Sequence, residues 1–190
     1  MKTFSANAQN NNVTLEPLEV KAMRTSTTEK KMPSSVTIIT REDIEKTQAR
    51  TVADALKGIV GVEVSPTGGM GSTTSVFMRA NESNATLVII DGARVNIGST
   101  GLFDFGHLTT DNIEKIEILR GSQSTLWGQD AMGGVINIVT RKGKGIPTHS
   151  LSFEGGSYGT YKESIQSSGA VNKYDYSLSL SRLDVFDQFS

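Results

Sequence analysis

The chain has no cysteine, which removes disulfide frameworks, thiolate-bound zinc and thiol nucleophiles and leaves the redox compartment open. It has two histidines, His107 and His149, far apart and in no H-E-x-x-H pattern, so metal chemistry would fall on scattered carboxylates. Neither sign of charge is in excess. The 19 Lys and Arg stand against 20 Asp and Glu, a balance that speaks against nucleic acid as a partner. Long apolar runs are missing as well: Leu87-Val-Ile-Ile90 falls far short of the ~20 residues of a membrane helix. No window reads G-x-x-x-x-G-K-[ST], because neither Gly68-Gly-Met-Gly71 nor Gly143-Lys144 completes it, and no G-x-G-x-x-G opens a helix after a strand. Glu42-Asp43, and Asp111 near Glu114, sit where helix capping explains acidic residues better than acid–base work, and Ser122 and Ser124 have no base close in sequence. No catalytic residue, metal or cofactor is therefore called for. An enzyme would need a cleft in which His107 meets a carboxylate and a serine.

What is present divides the 190 residues into four stretches. Residues 1–14 are polar; Met1-Lys-Thr-Phe4 and Ala6-Asn7-Ala8 have the form of the two ends of an export signal, without the apolar segment of ~7–15 residues between them. Either that form is chance or a signal has been lost. Residues 15–35 read as an arm with one extended piece, Leu15-Glu-Pro-Leu-Glu-Val20. From Val36 a strand leads into Thr40 and Asp43, a helix start running to about Thr47, and Thr51 with Asp54 repeats the signal for a second short helix before Gly58 and Gly61. Short β-branched strands follow at Val62–Val64, Thr74–Arg79, Thr86–Asp91, Ile113–Leu119 and Val135–Thr140. Between the last two, Gly121 follows a strand, Gly128 closes a helical turn and Gly133-Gly134 permit a tight entry to the next strand. These elements make residues 36–142 a small mixed domain of the α+β class with short helices and a mixed sheet.

Residues 143–190 differ. All four tyrosines lie in the last 33 residues, among segments that alternate: Tyr174, Tyr176, Leu178 and Leu180 occupy even positions and Asp175, Ser177, Ser179 and Ser181 the odd ones. Lipid-facing barrel strands need that alternation, and so does an amphipathic antiparallel sheet on a soluble core. Periodicity leaves both open.

One long ordered stretch carries a resemblance. Ile116-Glu-Ile-Leu-Arg-Gly-Ser-Gln-Ser-Thr-Leu-Trp-Gly-Gln-Asp-Ala-Met-Gly-Gly-Val-Ile-Asn-Ile-Val-Thr-Arg141 closely resembles the plug-domain signature of TonB-dependent outer-membrane receptors. Three further segments occur in the family's order. Leu18-Glu19-Val20-Lys21-Ala22 is similar to a TonB box, Ser75-Val-Phe-Met-Arg79 to the central plug strand, and Val88-Ile-Ile-Asp-Gly-Ala-Arg94 to the strand and turn that follow. The chain departs from the family at Ala80, where Gly is usual, at Ser122 for Pro and at Trp127 for Tyr.

The resemblance implies a plug at 36–142 followed by the first few antiparallel strands, about three, of an incomplete transmembrane β-barrel. It implies an outer-membrane location and two partners, TonB and a small-molecule ligand. TonB, the energy-transducing inner-membrane complex, would take Leu18, Glu19, Val20, Lys21 and Ala22 as an added strand. The ligand would be cobalamin or an iron chelate. Its contacts would fall on two loops with small residues, at Gly69, Met70, Gly71 and Ser72 and at Asn96, Ile97, Gly98 and Ser99. Arg79, Glu117 and Arg120 would pair plug with barrel. The run from Gly68 to Asn96 looks more like that of cobalamin receptors than of siderophore receptors, which, with haem receptors, come next. A 22-strand barrel at ~10 residues per strand needs well over ~200 residues, and 48 follow Lys142, so the chain is expected to be a fragment. The rival expectation is a stand-alone soluble plug-like ligand-binding module with 143–190 folded onto the core as a hairpin sheet.

Overall fold

The computed structural model describes residues 19–20, 27–28, 36–79, 81–98, 100–143, 145–157, 159–171 and 174–186. One short strand pair precedes the domain proper: β1 (Glu19–Val20) lies antiparallel to β2 (Thr27–Thr28). β3 (Val36–Thr40) then runs directly into α1 (Arg41–Thr47), and α2 (Val52–Leu56) follows. Both helices start as their sequences require. Thr40 and Thr51 are extended N-caps whose hydroxyls accept the N–H of Asp43 and Asp54, while those carboxylates reach back to the cap N–H. Helices this short are marginal alone. Burial of Ile44 from α1 and of Val52, Ala53 and Leu56 from α2 holds them on the sheet.

β4 (Val62–Pro66) and β5 (Thr74–Met78) form a hairpin; β6 (Thr86–Ile90), β7 (Ala93–Arg94), β8 (Ile113–Arg120) and β9 (Gly134–Thr140) complete a five-stranded sheet with β3 in the order β3-β8-β9-β6-β7. The sheet is mixed, since β6 and β9 are parallel and its other neighbours antiparallel. Alternation gives it two distinct faces. The row Ile39–Ile116–Ile138–Ile90 and the row Thr37–Ile118–Ile136–Val88 face α1, α2, the β4–β5 hairpin and Phe105. On the other face, Val36, Leu119, Val135 and Leu87 pack under Trp127 of α3 (Ser124–Trp127) and Ala131 of a following 3-10 turn.

The glycines between β8 and β9 do what the motif suggests: Gly121 and Gly128 have φ of 100° and 86°. Gly134 is there for space as well, because a Cβ on it would stand 2.4 Å from the Leu119 carbonyl oxygen and 2.7 Å from Met78 Cε. Asp111 departs from its expected helix start. It lies in a turn that leads into strand β8, so capping does not explain it.

β10 (Thr148–Gly156), β11 (Thr160–Val171) and β12 (Tyr174–Val185) form a separate antiparallel sheet, each strand longer than its alternation alone indicated. Register puts Leu151, Ile165 and Leu180 in one row and Leu178 beside Ser167 on the same face. That face is bare: Phe153 is 72% exposed and Leu178 and Leu180 are each 69% exposed. The polar face turns inward onto the mixed domain. The terminal sheet therefore packs on the mixed domain with its polar face inward and its apolar face outward.

Candidate functional site

The inward face of the terminal sheet meets the turn Thr109–Asn112, which the mixed domain holds firmly. Thr110 Oγ1 donates to the Ala49 carbonyl at 2.7 Å, Thr110 N–H to that of Arg50 at 3.1 Å, and Arg41 Nη1 to that of Thr110 at 2.8 Å. From this turn Asp111 pairs with Lys162 of β11 at 2.9 Å, both side chains being only 10% exposed. Gln166 Nε2 donates to the Asp111 carbonyl at 2.8 Å and its Oε1 accepts from Arg141 at 2.9 Å. Ser177 reaches Asn112 Oδ1 and the Thr109 hydroxyl meets that of Ser181, each at 3.2 Å. Arg50 pairs with Glu154 of β10. This interface escaped the sequence reading because most of its partners are about 50 residues or more apart. One signal was available: Lys162 is a lone cation on the polar side of an alternating strand, and a buried charge needs a partner.

The two loops singled out for ligand contact line different clefts. Gly69, Met70 and Gly71 border a space of about 230 Å³ with Ala53, Lys57 and Gly106. Met70 and Gly71 also border one of about 450 Å³ that extends to His107, Ser181 and Leu183, against β12. Ser72 closes the base of this loop, its N–H donating to the Gly69 carbonyl at 3.1 Å and its carbonyl accepting from Thr74 Oγ1 at 3.0 Å. Asp104 secures the neighbouring strand by accepting from Thr74 N–H at 2.9 Å and Gly106 N–H at 2.8 Å. Burial opposes ionisation of Asp104, but those two N–H groups and His107 outweigh it, and its carboxyl lies below the ordinary aspartate value.

Asn96, Ile97 and Gly98 line a third space of about 560 Å³ with Asn84, Arg94 and Met132. Ser99 lies outside the described residues, as do Leu18, Lys21 and Ala22 of the TonB-box segment, whereas Glu19 and Val20 form β1. Ala80 is likewise outside them.

Arg79 and Arg120 come together. Arg79, at φ 50°, donates its N–H to the Gly61 carbonyl at 3.1 Å, and Arg120 Nη1 donates to the Val60 carbonyl at 2.6 Å. Glu117 is not with them; its odd position turns it to the opposite face of β8, where it is fully buried, 2.8 Å from Lys115 Nζ and 2.8 Å from Asn137 Nδ2. The two motifs read separately in the sequence are physically joined. Arg94 donates to the Trp127 carbonyl and pairs with Asp130 at 3.4 Å. Asp91, at φ 48°, accepts from Thr140 N–H at 3.0 Å and Thr140 Oγ1 at 2.6 Å, tying the Asp-Gly turn to the end of β9.

Comparison with known proteins agrees with this construction. A family model described as the TonB-dependent Receptor Plug Domain matches residues 28–135. The vitamin B12 transporter BtuB of Vibrio vulnificus is 39% identical over 124 residues, covering 65% of this chain and 20% of the transporter. That of Photobacterium profundum is 35% identical over 161 residues, covering 85% and 26%. Among solved structures, the siderophore receptor PirA from Acinetobacter baumannii aligns with a TM-score of 0.63 at 25% identity, over 79% of this chain and 24% of that one. The receptor in the FpvAI–pyocin S2 complex shares the fold at a TM-score of 0.71 and 18% identity, over 86% and 21%. The chain thus spans about a fifth to a quarter of the length of these relatives. A plug-type mixed sheet, its polar docking on outward-apolar strands and the family match over residues 28–135 make this chain a member of the TonB-dependent receptor plug-domain family.

Proposed function

We propose that the chain is the plug portion, with the first barrel strands, of an outer-membrane receptor for energy-coupled uptake of cobalamin. The observation that carries the ligand class is the identity of 35–39% to vitamin B12 transporters, against 25% or less to the siderophore receptors that share its fold. Ferric siderophore, or haem, is the second reading, and the siderophore receptors among those structural neighbours favour it. The bare apolar face of β10–β12 supports a lipid-facing sheet, which a stand-alone soluble module would leave in water.

On this reading the polar inner face of the strands seats the plug, and the segment Leu18–Ala22 offers its backbone to the edge of a TonB sheet, where main-chain hydrogen bonds supply affinity. Arg79 and Arg120, adjacent at the Gly61 turn, present cations to acidic groups of a barrel wall. Glu117, matched by Lys115 and Asn137 inside the domain, holds the centre of the sheet. Loops Gly69–Ser72 and Asn96–Ser99 meet the ligand. The test is a chimera: residues 36–142 replace the plug of the Vibrio vulnificus vitamin B12 transporter in cells lacking their own. TonB-dependent uptake of labelled cyanocobalamin is expected. An assembled chimera that transports a ferric siderophore and no cyanocobalamin would overturn the cobalamin assignment.

A further inference from the structure

Asn96 stands in the second loop proposed to meet the ligand, yet the backbone engages both ends of its side-chain amide. Its Oδ1 accepts the Val88 N–H at 2.7 Å, and its Nδ2 donates to the Thr86 carbonyl at 3.0 Å and to the Gly101 carbonyl at 2.8 Å. A primary amide has two N–H bonds to give. Both are used, so Asn96 has none left for a ligand.

The consequence lies in what those bonds shape. β7 pairs with β6 over only two residues, Ile89 with Arg94 and Ile90 with Ala93. Beyond that the Asn96 amide takes the place of the missing strand, satisfying Thr86 and Val88 on the open edge of β6. Its third bond reaches across to Gly101 and closes the loop, which Gly101 N–H to the Ile97 carbonyl at 2.7 Å and Ile97 N–H to the Leu102 carbonyl at 2.8 Å complete. Ile97 is thereby held out, 59% exposed, bordering the same space as Met132, and Gly98 faces open space that a ligand can approach closely. The facing wall is fixed by Arg94 through Trp127 and Asp130.

We infer that Asn96 is a positioning residue: it sets Ile97, Gly98 and Gly101 in their binding shape before ligand arrives, and its amide N–H groups serve the backbone and not the ligand. This deepens the proposed function and rests on its assignment of that loop. Preorganisation lowers the ordering cost of binding, so loss of the bracket weakens affinity without removing a contact.

The test uses the full 190-residue chain in detergent and residue-resolved amide hydrogen exchange. Asn96→Asp keeps an acceptor for Val88 but sets carboxylate oxygen against two carbonyls; Asn96→Ala removes all three bonds. Exchange at Ile97 and Gly101 is expected to rise at least tenfold in both variants and at Val88 only in Asn96→Ala, with Ile116 and Ile138 unchanged. In the chimera described above, Asn96→Asp is expected to weaken cyanocobalamin binding about tenfold. Loop exchange that stays at the wild-type rate in both variants, or a uniform rise that includes Ile116 and Ile138, overturns the positioning role. So does unaltered affinity in a chimera whose wild-type form binds. If the wild-type chimera fails to bind cyanocobalamin, the cobalamin assignment falls and the exchange pattern still decides the role of Asn96.

Discussion

At the scale of single residues, small groups and caps decide whether the sheet closes. Gly134 lets β9 begin directly beside β8, and a methyl there would collide with the Leu119 carbonyl. Gly134→Ala is expected to destabilise the domain by about 1–3 kcal/mol, the usual range for overpacking, read from urea unfolding of the full chain. The capping carboxylates give a second handle. For Asp43 the Thr40 hydroxyl and N–H dominate and hold the carboxyl below its ordinary value. For Asp54 burial raises it, but the Lys57 ammonium and the Thr51 cap together outweigh burial and leave it lowered. A lowered folded-state value means that the unfolded chain takes up protons first as pH falls. Their stabilisation is complete above the ordinary aspartate value of about 3.9 and is lost between there and the lowered folded values. The urea midpoint should therefore fall as pH drops through that window, and Asp54→Asn should make the fall shallower.

At the scale of elements, legibility followed locality. Thr40 with Asp43 and Thr51 with Asp54 lie three residues apart, so the sequence displays both helix starts, and both form. The β-branched runs became β4, β5, β6, β8 and β9 within a few residues of their expected bounds, because alternate side chains on one strand share a face and the pattern is local. β7 was invisible: two residues, Ala93 and Arg94, carry no period. Glu117 could not be placed by parity alone, since the helix and turn that bury its face come after it in the chain. Asn96 is the clearest loss. Small residues around it marked a loop, but an amide bracket to Thr86 and Gly101 exists only once β6 and the loop have folded. For β10–β12 alternation disclosed two faces and the structure fixed which one is bare. Leu180→Arg, on the bare face, should impair stable insertion in a bilayer by about 2–4 kcal/mol if it lies near the midplane, whereas Ser179→Thr on the inner face should have little effect. Folding yield into lipid vesicles at graded urea measures both.

At the scale of the whole molecule, two sheets of opposite character are joined by a few polar contacts around one turn. Thr109, Asp111 and Asn112 project from a segment already fastened to the α1–α2 connection, so the terminal strands are seated on a rigid support. The buried Asp111–Lys162 pair, with Gln166 alongside, selects the register of β11, because a slip of one residue would turn Lys162 to the apolar side. That seating is what makes the chain a plug with its strands. Oxidative cross-linking tests it most directly in the purified full chain. Thr109→Cys with Ser181→Cys, whose native hydroxyls are 3.2 Å apart, should form a disulfide readily, while Thr109→Cys with Leu180→Cys, on the opposite face of β12, should not. Absence of the first cross-link in folded protein, or equal formation of both, would contradict the docking of the plug on the polar face of these strands.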